Sequence, residues 1–278
     1  MVLAVASRRC PPDLPTARPH FHPAMPFLDH PIEISEEAGM RNLHFGSDWI
    51  QGAMRIRRPF ALELAYTREM MACLLLRPEK SWPRRVMLIG LGAGSLAKFI
   101  YRNLPETRMS IVEIDARIVP MAQQYFSLPV DPQRMKLVIA DGSEYVQQAR
   151  GRYDAIFVDG FGADGRAGVL DSAAFYQACR ARLGQDGLLI CNLLGRSRGF
   201  HASVERIRKA FEQRAIVFPS LDSGNAVAFG AAGEPVEVTL DEMRERARQL
   251  KTETGLDLRP TISRLQKAQT LPGGCLKL

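Results

Sequence analysis

Three glycines and three acids define the chemistry open to this chain. Gly90, Gly92 and Gly94 follow the short apolar run Val86–Ile89, and a helix-like segment opens behind them. A glycine turn at a strand end lets a ligand approach the backbone closely. Glu113 closes the next apolar run, nineteen residues beyond Gly94, where a carboxylate can accept hydrogen bonds from ribose hydroxyls. Asp141-Gly142 ends a third run. Asp159 ends a fourth and leads into Gly-Phe-Gly-Ala-Asp164-Gly165. In an open α/β sheet a ligand sits beyond the carboxyl ends of the strands, so these residues converge on one nucleoside site. A dinucleotide fits poorly. Its fingerprint, G-x-G-x-x-G, needs a glycine where this chain has Ser95. The G-x-G-x-G turn suits S-adenosylmethionine or its decarboxylated form better.

The elements that position these residues alternate. Val86–Ile89, Met109–Val112, Leu137–Ala140, Ala155–Val158 and Leu188–Leu193 are strand-like. Leu96–Asn103, Arg117–Phe126, Glu144–Ala149 and Ser172–Leu183 are helix-like. Such alternation predicts a parallel sheet covered on both faces. A helix over Phe200–Phe211 and two closing strands, Ala215–Phe218 and Ala226–Phe229, form a hairpin-like ending. Thr239-Leu-Asp-Glu242 is a capping box for a last helix running to about Lys251.

Ahead of the sheet, residues 32–58 read as short strands with a turn at Glu37-Ala-Gly39, and Phe60–Leu76 reads as one helix with no internal Gly or Pro. Residues 1–31 hold seven prolines and read as a disordered leader, with Met25 a plausible alternative start. The organisation is therefore a leader (1–31), a small β unit with its first helix (32–83), an α/β domain (84–251) and a loosely attached tail (252–278).

The bulk numbers exclude several classes. No apolar run approaches the roughly 20 residues needed to span a bilayer, and no export signal is recognisable. The five cysteines are scattered without a CxxC pair or a His/Cys cluster, so no metal is expected and a reducing, cytoplasmic setting fits. Cys73, Cys179 and Cys191 read as small buried thiols. The net charge is +7, and residues 41–85 carry nine Arg/Lys against four acids. That segment is either a solvated face or a surface turned toward an anionic partner. No basic stretch interleaved with aromatics points to nucleic acid.

From about Ile32 to Gly230 the chain resembles the spermidine synthase family and its methyltransferase-fold relatives. The resemblance rests on Gly90-Leu-Gly-Ala-Gly94, Val112-Glu-Ile-Asp115, Tyr125-Phe126, Asp131-Pro132, Ala140-Asp-Gly-Ser-Glu-Tyr145, Tyr153-Asp-Ala-Ile-Phe-Val-Asp159 and Ala174-Phe-Tyr176, in that order. Phe45-Gly-Ser, Gln51-Gly-Ala-Met54 and Glu63-Leu-Ala-Tyr66 match its small β domain and first helix. It implies a seven-stranded, mostly parallel sheet of the class I methyltransferase type whose last strand is antiparallel, fronted by a small β unit, in a homodimer. It also implies that Gly90, Gly92, Ala93 and Gly94 border the donor, that Glu113 binds ribose, and that Asp141 and Gly142 meet adenine. Asp159 would lie near the sulfonium. Asp141 has a competing role as a helix cap.

The departures fall on the reacting end. The family usually carries Gly-Gly-Gly-Asp-Gly in the first turn, and this chain has Ala93 at the Asp. The loop acid that deprotonates the attacking amine is replaced by Gly162, leaving Asp164 and Tyr66 as candidate bases beside Asp159. Thr67 replaces a His, and Arg55 stands where a donor-contacting Gln is expected. Three functions follow. One is aminopropyl transfer from decarboxylated S-adenosylmethionine to an amine such as putrescine. A second is methyl transfer from S-adenosylmethionine to an uncharged or anionic acceptor, which Ala93 and Asn192 fit. The third is nucleoside binding without catalysis.

Overall fold

The computed structural model describes residues 30–278 except 48, 78, 80, 163–165 and 222. The leader expected over residues 1–31 therefore falls almost wholly outside the described residues. Alternation in Ile32-Glu-Ile-Ser builds β1 (Ile32–Glu37), which turns at Ala38-Gly39 into β2 (Met40–Phe45) and pairs with it antiparallel, Ile32 opposite Phe45. β3 (Gly52–Arg55) adds to the far side of β2.

The single helix expected over Phe60–Leu76 is broken. Leu64 is extended, α1 covers only Ala65–Met70, and after a turn α2 covers Cys73–Leu76. Its apolar stripe serves burial all the same, because Met70, Met71, Cys73 and Leu75 are fully enclosed.

The main sheet then assembles from β4 (Arg85–Ile89), α3 (Ser95–Asn103), β5 (Arg108–Glu113), α4 (Ile118–Tyr125), β6 (Met135–Ile139), α5 (Gly142–Gln148) and β7 (Tyr153–Val158). After a 3₁₀ turn at Gly168–Asp171 come α6 (Ala173–Arg182), β8 (Leu183–Leu194), α7 (Phe200–Ala210), β9 (Ala215–Val217) and β10 (Asn225–Ala231). The strand order is β6-β5-β4-β7-β8-β10-β9, with β10 antiparallel to both neighbours. This is the seven-stranded class I methyltransferase arrangement with a small N-terminal β unit.

Alternate residues of each strand enter opposite cores, which is why the strands read as unbroken apolar runs. Val86, Leu88, Ile111 and Phe157 meet α3, α4 and the N- and C-terminal helices. Met87, Ile89, Ile156 and Val158 meet α5, α6 and α7. Pro120 is accommodated in the first turn of α4, where a missing amide costs little. Cys73, Cys179 and Cys191 are buried, and burial pushes the Cys191 thiol up to about 12.

The end of the chain is not loosely attached. β11 (Glu237–Thr239) leads into α8 (Leu240–Thr254), whose capping box forms: Thr239 Oγ1 accepts from the Glu242 amide, and Glu242 accepts from the Thr239 amide. Gly255 ends that helix at φ +78°. α9 (Arg259–Lys267) and β12 (Cys275–Lys277) follow, and Leu258, Ile262, Leu265, Leu276 and Leu278 join the main core. α9 also reaches the first helix. Arg264 pairs with the buried carboxylate of Glu69, and Thr261 Oγ1 donates to it at 3.3 Å.

Candidate active site

The carboxyl ends of β4, β5, β6, β7 and β8 open into one cavity of about 800 Å³, roofed by the N-terminal β unit and α1. Gly90, Gly92 and Gly94 all have positive φ, at +94°, +50° and +68°. The glycine at 90 is obligatory in a second sense, because a Cβ there would stand 2.2 Å from the Asp159 carbonyl oxygen. The turn thus lets two neighbouring strand ends close on each other. Gly142 is similarly tight, its missing Cβ 2.4 Å from the Ile89 side chain.

Glu113 is 8% exposed and bonded on both oxygens: the Leu91 amide donates to Oε2 and the Asp115 amide to Oε1, each at 2.9 Å. It therefore ties the glycine turn to the end of β5. Burial raises its pKa, and the two amides oppose that rise. Asp141 caps α5, with Oδ1 accepting from the amides of Ser143 at 2.7 Å and Glu144 at 3.1 Å. The capping role is real, and Oδ2 takes no hydrogen bond among the described residues.

Asp159 sits at the floor. Because β7 and β8 run parallel with Val158 beside Cys191, Asp159 comes next to Asn192, whose Nδ2 donates to Oδ1 at 2.9 Å. The Tyr66 hydroxyl of α1 hydrogen-bonds the same carboxylate. Burial raises the Asp159 pKa, opposed by the hydrogen bonds from Asn192 and Tyr66. Burial, then the Asp159 charge, raises that of Tyr66 well above its usual value. Asn192 is held in turn by Asn225, whose Nδ2 donates to its Oδ1 at 3.1 Å.

Asn225 has no counterpart among the sequence candidates. It follows Gly224 at the start of β10, and the antiparallel register that sets Asn192 opposite Val227 makes Asn225 its diagonal neighbour.

Ala93 is 2% exposed and lines the cavity, and a Cβ on Gly52 would stand 2.6 Å from its own Cβ. The β unit therefore lies directly on the glycine turn at this point, helped by a Ser95 Oγ bond to the Ala53 carbonyl at 3.4 Å.

Among the described residues no Arg or Lys of the basic segment lines the cavity. Arg55 is bound to Glu63 at 3.1 Å, Arg68 Nη1 donates to the Leu62 carbonyl at 3.4 Å, and neither lines the site. Thr67 does line it, its hydroxyl bonded to the Leu64 carbonyl at 2.8 Å. The charged residues lining the site are Glu113, Asp115, Asp141, Asp159 and Arg166 among the described residues. Asp164 lies outside the described residues. Among the described residues no three His, Cys, Asp or Glu side chains cluster as a metal site, and no helix is long and apolar enough to cross a membrane.

Residues 63–219 match the spermine/spermidine synthase domain. The chain belongs to that family. It is 33% identical to the polyamine aminopropyltransferase of Neisseria meningitidis over 235 residues, 84% of this chain and 89% of the relative. Among solved structures, a probable spermidine synthase from Corynebacterium glutamicum superposes with a TM-score of 0.66 at 21% identity, covering 79% of this chain and 83% of that one. That likeness is one of fold. Human methyltransferase-like protein 13 in complex with SAH superposes with a TM-score of 0.61 at 26% identity, covering 69% of this chain and 93% of that one. Family membership supports a transferase built on an S-adenosylmethionine-type fold.

Proposed function

We propose that this protein transfers a group from an adenosyl sulfonium donor to an amine, with aminopropyl transfer from decarboxylated S-adenosylmethionine as the leading reading. The observation that carries it is the Asp159 carboxylate, at the cavity floor between Tyr66 and Asn192 and against the backbone of the glycine turn. The cavity and its chemistry fit such a donor. Glu113 keeps lone pairs for ribose hydroxyls beyond the two amides it accepts. Asp141 Oδ2 is free to accept an adenine amino group, and Ile114, 39% exposed at the mouth, offers an apolar face for the ring. A carboxylate at 159 attracts a cationic sulfur.

The transfer itself is a displacement. The amine nitrogen donates its lone pair to the carbon next to sulfur, the carbon–sulfur bond breaks, and its electrons neutralise the sulfonium. The amine must first be neutral. Asp159 takes its proton, directly or through the Tyr66 hydroxyl. A base whose pKa is raised by burial is better matched to a neutral working pH than an ordinary carboxylate. Asp164, on the glycine-rich loop after β7, remains a second candidate for this proton.

Methyl transfer from intact S-adenosylmethionine is the second reading, and Ala93 favours it. No acid meets the donor's amine end there, and the turn amides are available to its carboxylate. Calorimetry with both donors, followed by chromatography of the products with putrescine present, tests the assignment. Aminopropyl transfer predicts tighter binding of the decarboxylated donor and amine-dependent release of methylthioadenosine. Preference for the intact donor, with no product from putrescine, overturns it in favour of methyl transfer. Binding of neither overturns both.

A further inference from the structure

Asp159 is held from two sides, and both sides lead back to one arginine of the C-terminal helix. The Tyr66 hydroxyl comes from α1. Three residues further along that helix stands Glu69, fully enclosed, paired with Arg264 of α9 and accepting from Thr261 Oγ1 at 3.3 Å. The second side is Asn192, which donates to Asp159 at 2.9 Å and is itself held by Asn225 at 3.1 Å. Asn225 opens β10 after the turn that returns from β9, and its carbonyl accepts from the Leu221 amide at 2.7 Å. Arg264 reaches this turn too, because its Nε donates to the Pro219 carbonyl at 3.2 Å.

The helix α1 does not hold this position by itself. It has six residues, no side-chain cap at Leu64 and no acid in its first turn, and a helix that short is unstable without tertiary contacts. Tyr66 and Glu69 are three residues apart, neighbours on the helix surface, so a shift at Glu69 is carried to the Tyr66 hydroxyl. The anchor is firmer. α9 buries Ile262 and Leu265 in the main core. Neither Arg264 nor Glu69 is among the residues lining the cavity, so both reach the chemistry only through the groups they hold. Arg264 also lies beyond residues 63–219, which match the family domain.

We propose that Arg264, acting through Glu69 and Pro219, is a positioning residue that keeps Tyr66 and Asn192 together on Asp159. The inference rests on the reading of Asp159 as the proton acceptor of a transferase. Both neighbours donate hydrogen bonds to the carboxylate, which favours its ionised form. Loosening the two bonds together leaves Asp159 with the burial that raises its pKa and less of what opposes that rise. Rate is affected as well, because a misplacement of about 1 Å at a reacting group can cost roughly 10²-fold.

The test uses the full chain, whichever donor calorimetry shows to bind, and putrescine as the amine. Arg264→Ala would strand the buried Glu69 carboxylate, so the variants keep the charge balanced. Glu69→Met combined with Arg264→Met removes the tie and fills its space. In this double variant kcat should fall by roughly tenfold or more, with donor affinity unchanged and the acid limb of the pH–kcat profile moved to higher pH. Amide hydrogen exchange should quicken both in α1 and at Leu221 and Gly224, while β4 and β5 stay protected. A folded double variant with the parent kcat and an unmoved acid limb overturns the proposal and leaves the pair a structural tie. Faster exchange in α1 alone also overturns it, because the Asn225 side is then independent of Arg264. Arg264→Lys keeps a counter-charge for Glu69 but gives up the planar fork that spans both partners, and is expected to fold with smaller changes in the same directions. If the double variant does not fold, an unaltered limb and unaltered exchange in Arg264→Lys overturn the proposal. No turnover by the parent protein counts against the transferase reading instead, and the exchange pattern still decides the tie.

Discussion

On one side of the cavity, Gly90, Glu113, Asp141 and Asp159 stand at the ends of four neighbouring parallel strands. On the other, Trp49, Gln51 and Tyr66 come from a three-stranded unit and a helix of six residues. The first wall is fixed by backbone. Gly90 touches the Asp159 carbonyl, Glu113 ties two main-chain amides, and Asp141 caps a helix. The second is fixed by side chains reaching from elsewhere: Arg55 to Glu63, Arg264 to the buried Glu69, Ala93 against Gly52. A wall built on backbone cannot drift far without unfolding the sheet. One held by side-chain ties can change its chemistry while the fold stays; of the departures read from the resemblance, Arg55 lies on that wall, whereas Ala93 and Gly162 follow the ends of β4 and β7.

The sharpest way to break this contrast is at Asp159, where the two walls meet. Asp159→Asn keeps the size and an acceptor for Asn192 but removes the base. Turnover should fall by about 10²–10⁴-fold, with donor affinity little changed. Stopped assays with quantified donor binding check this, and an active variant would move the base to Asp164. The pH dependence has a definite sign. The base works only when ionised, so the rate of the parent protein falls as pH drops through the raised pKa of Asp159, and that limb is absent from the variant. Stability runs the other way. A carboxyl whose folded pKa is raised holds its proton more tightly when folded, so stability is lost as pH rises from the ordinary carboxylate range through the raised value. Above that window, Asp159→Asn should melt higher than the parent protein.

The two walls were not equally legible. The strand-end residues could be found from sequence because parallel alternation places strand ends together and a glycine turn has its own backbone signature. The capping box at Thr239 was legible for the same local reason. Asn225 was not, since its contact with Asn192 depends on the register of β10 against β8, which no local pattern encodes. The break between α1 and α2 was hidden because residues 60–76 contain neither Gly nor Pro. The late start has a visible cause, with Leu64 extended and Arg55 bridged to Arg58 just before it, whereas nothing in the structure explains the turn at Met71-Ala72. The C-terminal segment misled in the opposite direction. Its apolar residues 258, 262 and 265 are too few to form a convincing stripe, yet each is buried against the core. The basic character of residues 41–85 left two readings open, a solvated face or a surface turned toward an anionic partner, and its arginines at 55 and 68 make internal bonds.

A second test sharpens the backbone-built wall. Glu113→Ala removes the acceptor of the Leu91 and Asp115 amides as well as the proposed ribose ligand. Donor affinity should fall by roughly 10–100-fold, measured by calorimetry. Glu113→Gln keeps one acceptor oxygen and should fall less. Normal binding by both variants would show that the sugar lies elsewhere.

The smallest expected effect probes the seam between the walls. Ala93 belongs to the glycine turn yet packs on Gly52 of the roof, so a longer side chain at 93 must pass Gly52 to enter the cavity. Ala93→Asp would place a carboxylate near the donor's amine end. Intact S-adenosylmethionine carries a carboxylate on that carbon and the decarboxylated form does not. Repulsion between two carboxylates about 4 Å apart, partly screened by solvent, is worth about 1–2 kcal/mol. The ratio of the two donor affinities should therefore shift toward the decarboxylated form by roughly 5–30-fold. A melting temperature close to that of the parent protein would show that the Gly52 contact survives. With the fold intact and the ratio unchanged, residue 93 does not face the donor's tail, and selection between the donors would have to come from another part of the cavity.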